Sequence, residues 1–146
     1  MANFLYNKWK ENILQFTANN NLSTGTVKVA LVDTAVYTLG TQSTTDQFYD
    51  NGSANDVASA TVGTPQTLAS KTFTNGVFDA ADITYTAVTG ATVEALVIYI
   101  DTGTPTTSPL VAFIDTGVTG LPVTPNGGNI SVTWNASGIF AIGPTT

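Results

Sequence analysis

Two copies of the tripeptide Asp-Thr-Gly, at Asp101-Thr102-Gly103 and Asp115-Thr116-Gly117, are the part of this sequence that most resembles a catalytic motif. Paired aspartates support acid–base hydrolysis when their carboxyl groups face each other across a symmetric cleft and share one proton. Each copy here follows an apolar predicted strand that ends in an aromatic residue and an isoleucine. The sequence therefore favours two turns in which Asp accepts a hydrogen bond from its own downstream backbone and Gly adopts the left-handed conformation.

Other catalytic side chains are scarce. The chain contains no His, no Cys and no Arg, and its four lysines stand against ten carboxylates. General acid–base catalysis near neutral pH depends mostly on His, and Ser, Cys or Lys nucleophiles need a partner base. We therefore expect a protein that is not an enzyme, with no catalytic residues and no bound cofactor.

Calcium is the metal that these carboxylates would suit, because it prefers hard oxygen ligands. Asp79 with Asp82, or Asp50 with Asp56, could contribute to an irregular site, although neither pair has the spacing of a calcium-binding loop. Solvated or turn-capping roles are favoured for all four side chains, and no metal site is predicted. An irregular calcium site stays as the alternative.

Composition and charge limit the classes of partner that this chain could bind. A net charge of −6 and a pI near 4.1 argue against nucleic acid, which requires clusters of Lys and Arg. The longest apolar run, 95–100, is too short to span a bilayer, so no membrane partner is expected. The length of 146 residues and the apolar content of 42% predict one folded domain over 1–146.

A helix is predicted over 3–16, because Leu5, Trp9, Ile13 and Phe16 recur at helical spacing. Asn3 is the expected N-cap of this helix. Phe4 and Leu14 fall off the apolar stripe. Either the helix is buried on two sides, or a second face of it contacts a partner.

The segment 34–66 is rich in small and polar residues and predicts a long loop, with a short helical turn at 46–50. Loops of this length are usually functional or are ordered by a neighbouring element. Phe48 and Tyr49 are the candidate anchors of this loop. They lie either on the core of their own domain or in the pocket of a partner.

The rest of the chain predicts antiparallel strands. Asn75-Gly76 predicts a two-residue hairpin turn in which Phe73 opposes Phe78 and Thr72 opposes Asp79. The strands over 94–101 and 110–115 lack polar alternation, which is typical of strands covered on both faces. Short strands with turn signals between them predict an all-β fold, an antiparallel β-sandwich of jelly-roll or Ig-like kind with one short N-terminal α-helix.

Five segments carry a resemblance to known proteins: 3–10 (NFLYNKWK), 27–34 (VKVALVDT), 70–82 (SKTFTNGVFDAAD), 94–99 (EALVIY) and 120–128 (GLPVTPNGG). With these segments the chain resembles a family of small all-β virion proteins of tailed bacteriophages. The resemblance implies a capsid decoration or cement protein on the outer surface of the head, which binds the major capsid protein as a homotrimer. It implies no catalytic residues.

This function predicts an interface that includes Phe4, Leu14, Phe48 and Tyr49. The alternative is a tail or fibre module that binds host glycans, for which exposed Trp or Tyr platforms such as Tyr6 or Tyr49 would be the signature. Trp9 and Trp134 fall on apolar faces and are predicted to lie in the core.

Overall fold

A computed structural model describes residues 3–38 and 46–143. This part of the chain forms nine strands and two helices, together with two short 3₁₀ turns at Thr74–Gly76 and Pro105–Thr107. In chain order the elements are β1 (Phe4–Leu5), α1 (Asn7–Leu14), β2 (Thr26–Val32), α2 (Val57–Ala60), β3 (Thr61–Thr67), β4 (Val77–Phe78), β5 (Ile83–Tyr85), β6 (Ala95–Asp101), β7 (Leu110–Ile114), β8 (Ile130–Val132) and β9 (Phe140–Ala141).

The strands form one five-stranded antiparallel sheet in the order β1-β7-β6-β2-β3, and two separate pairs, β4–β9 and β5–β8. The predicted mostly-β, antiparallel chain is confirmed. Neither helix of the described residues has the length and apolar character of a transmembrane helix.

The central strands are covered on both faces, as their sequences predict. Every residue of β7 and every residue of β6 before Asp101 is buried, including side chains that alternate between opposite faces. From the β5–β8 pair, the Tyr85 hydroxyl donates a 2.8 Å hydrogen bond to the Val29 carbonyl in β2. The ring of Tyr49 stacks on Tyr99 of β6 with centroids 4.3 Å apart.

The N-terminal prediction of a helix over 3–16 is corrected at both ends. Phe4 and Leu5 form strand β1, and the helix covers only Asn7–Leu14. Asn3 is not its N-cap: the Asn3 Oδ1 accepts the N–H groups of Asp115 and Thr116 at 2.9 and 3.0 Å, and its Nδ2 donates to the Thr116 carbonyl. Hydrogen bonds to the end of β7 therefore outweigh local helix propensity here.

The prediction of a loop over 34–66 is wrong for its last ten residues, which form α2 and most of β3. Val57 and Ala60 are buried, and β3 pairs with β2 at the edge of the sheet. Gly63 and Pro65 obscure the strand pattern in the sequence, although an edge strand tolerates both residues.

The first half of that segment also differs from the prediction. Residues 46–50 are not helical; Phe48 instead bridges to Pro109, and the Tyr49 N–H donates to the Ser108 carbonyl at 2.8 Å. The polar stretch 41–45 of the predicted loop lies outside the described residues.

The predicted hairpin is confirmed. Thr72 and Asp79 exchange backbone hydrogen bonds of 2.8 and 3.1 Å, and the Phe73 and Phe78 rings lie 5.5 Å apart. Asn75 and Gly76 both have positive φ, at 55° and 75°, as a two-residue turn of this type requires.

Candidate functional site

The two Asp-Thr-Gly motifs do not form a catalytic pair. Because β6 and β7 are antiparallel, with Leu96 opposite Ile114, the aspartates that end these strands lie at opposite ends of the ladder. The Asp101 Oδ1 accepts the Gly103 N–H at 2.9 Å, as predicted for an Asx-type turn, and its Oδ2 pairs with the Lys28 Nζ at 2.6 Å. The Lys28 hydrogen bond, followed by the Gly103 N–H, lowers the pKa of Asp101.

The four carboxylates considered for calcium all accept hydrogen bonds from backbone N–H groups. Asp79 accepts the Ala80 N–H, and Asp82 accepts the Trp134 N–H, both at 2.9 Å. Asp50 accepts the Gly52 N–H, while Asp56 is the N-cap of α2. In the part of the chain that the structure describes, no group of three or more acidic, His or Cys side chains could hold a metal ion.

Two buried tyrosines form a hydrogen-bonded chain that ends at the Asp46 carboxylate. The Tyr6 hydroxyl donates to Tyr37 at 2.9 Å, and the Tyr37 hydroxyl donates to the Asp46 carboxylate at 2.7 Å. Burial is the main cause that raises the pKa of both tyrosines, so both stay neutral and act as structural hydrogen-bonding groups.

An aromatic platform for glycans requires exposed Trp or Tyr side chains. All seven of these residues lie within the described ranges; Tyr49 is half-buried against Tyr99, and the other six are buried. Tyr6 is fully buried, and the predicted core positions of Trp9 and Trp134 are confirmed. The tyrosines and tryptophans therefore do not present the surface that the glycan-binding alternative needs.

The four predicted interface residues occupy different environments. Phe4 is half-buried and stacks on Phe113 with centroids 5.3 Å apart, while Tyr49 stacks on Tyr99 and shares a 2.8 Å hydrogen bond with the Thr61 hydroxyl. Phe48 is half-buried at its bridge to Pro109. Of these four residues only Leu14 is exposed to solvent, with 86% of its surface accessible.

Phe16 is the surface residue that the sequence pattern did not identify. Its side chain is 97% exposed, although helical periodicity places it on the buried stripe with Trp9. Phe16, Ile13 and the loop 17–21 line an open cavity of about 320 Å³. We refer to Ile13, Leu14, Phe16 and the loop 17–21 as the Phe16 patch.

The backbone at Phe16 explains its exposure. The Thr17 N–H donates to the Asn12 carbonyl at 2.9 Å and the Phe16 N–H donates to the Ile13 carbonyl at 3.2 Å, which is the bonding pattern of a Schellman cap. In this cap the residue with left-handed φ is usually Gly, because a Cβ is strained there. Phe16 occupies it with φ of 56°.

The loop beside Phe16 is firmly held. The Asn20 side chain is buried and donates to the Ala18 carbonyl at 2.7 Å, and the Trp9 indole N–H donates to the Asn20 carbonyl. The Lys71 Nζ donates to the carbonyls of Leu22 and Gly25, both at 2.7 Å. Phe16 therefore projects from a well-supported surface.

Comparison with known protein families and with curated protein sequences found no match.

Proposed function

We propose that this chain is a non-enzymatic structural protein of a tailed-phage virion, which decorates the outer surface of the head by binding the major capsid protein, and that it assembles as a homotrimer. The proposed architecture is an antiparallel β-sandwich. The five-stranded sheet forms one layer, and the β4–β9 and β5–β8 pairs form the other.

The observation that carries this proposal is Phe16. A large aromatic side chain that is 97% exposed contributes almost nothing to the hydrophobic core, while its left-handed backbone costs the fold free energy. Strain that does not improve folding is concentrated at functional sites. Leu14, two residues away, adds a second exposed apolar side chain.

The size of the patch fits an anchor within a larger contact. Phe16 and Leu14 together expose on the order of 300 Å², given that one aromatic side chain carries roughly 150–250 Å². A stable interface buries about 800 Å² on each partner. The patch therefore suits a hot spot that works together with further contacts, as in an array of subunits on a shell.

The charged side chains of the described surface also favour a structural contact rather than a catalytic role. Only 10% of the residues are charged, and Asp101 and Asp82 already accept hydrogen bonds from the protein, so few ionic groups would have to lose water in a contact. A cement protein works by burying surface across subunit joints, and it needs no reactive group.

Cosedimentation with phage heads assembled without this protein tests the proposal. The wild type and the control Ile142→Ala, which truncates a half-exposed apolar side chain elsewhere, should bind the heads. Phe16→Gly should lose at least about tenfold in affinity, as expected for an interface hot spot. Failure of the wild type to bind, or wild-type binding by Phe16→Gly, would refute the proposal.

Sedimentation of the purified protein tests the proposed stoichiometry separately. A species three times the mass of the 15.1 kDa chain is expected at the concentrations that saturate the heads. A monomer at those concentrations would contradict the trimer.

A further inference from the structure

Asn-Gly occurs at Asn51-Gly52, Asn75-Gly76 and Asn126-Gly127, and all three dipeptides lie in exposed turns. Glycine has no Cβ, so its backbone nitrogen can approach the side-chain amide of the preceding asparagine. Attack at that amide is the first step of asparagine deamidation. Exposure and sequence are alike at the three sites, so their hydrogen bonds decide how readily each one reacts.

Two of the three asparagines are held by their turns. The Asn51 Oδ1 accepts the Ser53 N–H at 3.0 Å, and the N–H of its Gly52 donates to the Asp50 carboxylate at 2.8 Å. The Asn126 Oδ1 accepts the Gly128 N–H at 3.0 Å, and the N–H of Gly127 donates to the Val88 carbonyl at 2.8 Å. Reaction at either site must break these bonds.

Asn75 differs from both. Its side-chain amide makes no hydrogen bond to any residue that the structure describes, and the turn is held by backbone groups alone, with the Val77 N–H bonded to the Thr74 carbonyl. No side-chain hydrogen bond therefore has to break before the Asn75 Cγ approaches the Gly76 nitrogen.

We propose that Asn75 is the site of spontaneous deamidation in the folded protein. The Gly76 nitrogen attacks the Asn75 Cγ, a C–N bond forms, the Cγ–Nδ2 bond breaks, and the proton lost from the Gly76 nitrogen leaves with the amide as ammonia. Water then opens the resulting succinimide to aspartate or isoaspartate at position 75. No oxidant, reductant or enzyme takes part.

The reaction alters a turn that lies next to the β4–β9 strand pair. The Gly76 carbonyl accepts the N–H of Ile142 at 2.9 Å, beside the β4–β9 pair. Isoaspartate adds one methylene to the backbone at this turn, and either product adds a negative charge to a chain of net charge −6. The modified protein should therefore show a looser β4–β9 pair and a more acidic isoelectric point.

Peptide mapping by mass spectrometry, after incubation of the folded protein in mildly alkaline buffer, tests this proposal. Isoaspartate should appear at position 75 about tenfold faster than at 51 or 126, the factor expected when one or two hydrogen bonds must first break. In guanidinium chloride, where the turns are lost, the three sites should react at similar rates.

Asn75→Gly is the matched control, because glycine keeps the positive φ of the turn and has no amide to lose. This variant should lose most of the early isoaspartate formed by the folded protein. Faster or equal reaction at 51 or 126 in the folded protein would overturn the proposal. The proposal would also be overturned if Asn75 stayed unmodified in the folded protein after an incubation in which the denatured chain had reacted at all three sites.

Discussion

Replacing Phe16 by glycine is expected to stabilise the fold, although the change removes a large apolar side chain. With 97% of its surface exposed, Phe16 forfeits almost no hydrophobic burial when it is truncated. Relief of the left-handed backbone strain gains about 1–2 kcal/mol. The greater freedom of glycine in the unfolded chain takes back about 0.4–1 kcal/mol.

The net expectation is a gain of about 0–1.6 kcal/mol in the free energy of unfolding, centred on ~0.8 kcal/mol. For a chain of this size, that gain raises Tm by about 1–4 °C. Urea unfolding followed by tryptophan fluorescence can measure it, since Trp9 and Trp134 are both buried.

Phe16→Ala is the matched control for this prediction. Alanine also removes the aromatic ring but keeps the Cβ that is strained at positive φ, so its free energy of unfolding should stay near that of the wild type. A destabilised Phe16→Gly, or equal effects of glycine and alanine, would refute the reasoning that Phe16 is strained and makes no contribution to the core.

Three further predictions concern the contacts around the sheet. Lys71→Met should lower the free energy of unfolding by about 1–3 kcal/mol, because it leaves carbonyls of the 22–25 turn without their ammonium donor. The control Lys10→Met, at an exposed lysine, should change the free energy of unfolding by less than about 0.5 kcal/mol. Urea unfolding midpoints compare the two variants. Because the pKa of Asp101 is lowered, its pair with Lys28 stabilises the fold above the ordinary Asp pKa of about 3.9, and this stabilisation is lost as pH falls through the lowered pKa. In acid, the Tm of Asp101→Asn should therefore fall less steeply with pH than the Tm of the wild type. Parallel curves of Tm against pH would contradict this prediction. Tyr37→Phe removes the central hydroxyl of a buried hydrogen-bonded chain and should lower the free energy of unfolding, measured in urea, by about 1–3 kcal/mol. A decrease below about 0.5 kcal/mol would contradict a stabilising role for that chain.

Local signals predicted the parts of the fold that local physics controls. Asn75-Gly76 predicted its hairpin and register because positive φ at two consecutive residues restricts the turn to one geometry. The strands β6 and β7 were recognisable because strands buried on both faces carry unbroken apolar runs. Strand β3 was missed because Gly63 and Pro65 interrupt its pattern, and its place beside β2 depends on long-range pairing.

In the candidate site, too, a local sequence signal identified one residue, and the folded backbone was needed to identify the other. Leu14 was recognised because it falls off the apolar stripe, whereas Phe16 was placed on that stripe by a periodicity that assumes the helix continues. The helix ends at Leu14, and the Schellman cap turns Phe16 outward. A cap with phenylalanine in place of glycine gives no sequence signal, so only the backbone conformation shows it.

Electron microscopy of the intact virion tests the central claim most directly. The account predicts density for this chain on the outer surface of the head, arranged in threes, with the Phe16 side chain buried against the major capsid protein. Density at the tail, or a head-bound chain whose Phe16 patch faces solvent, would contradict it.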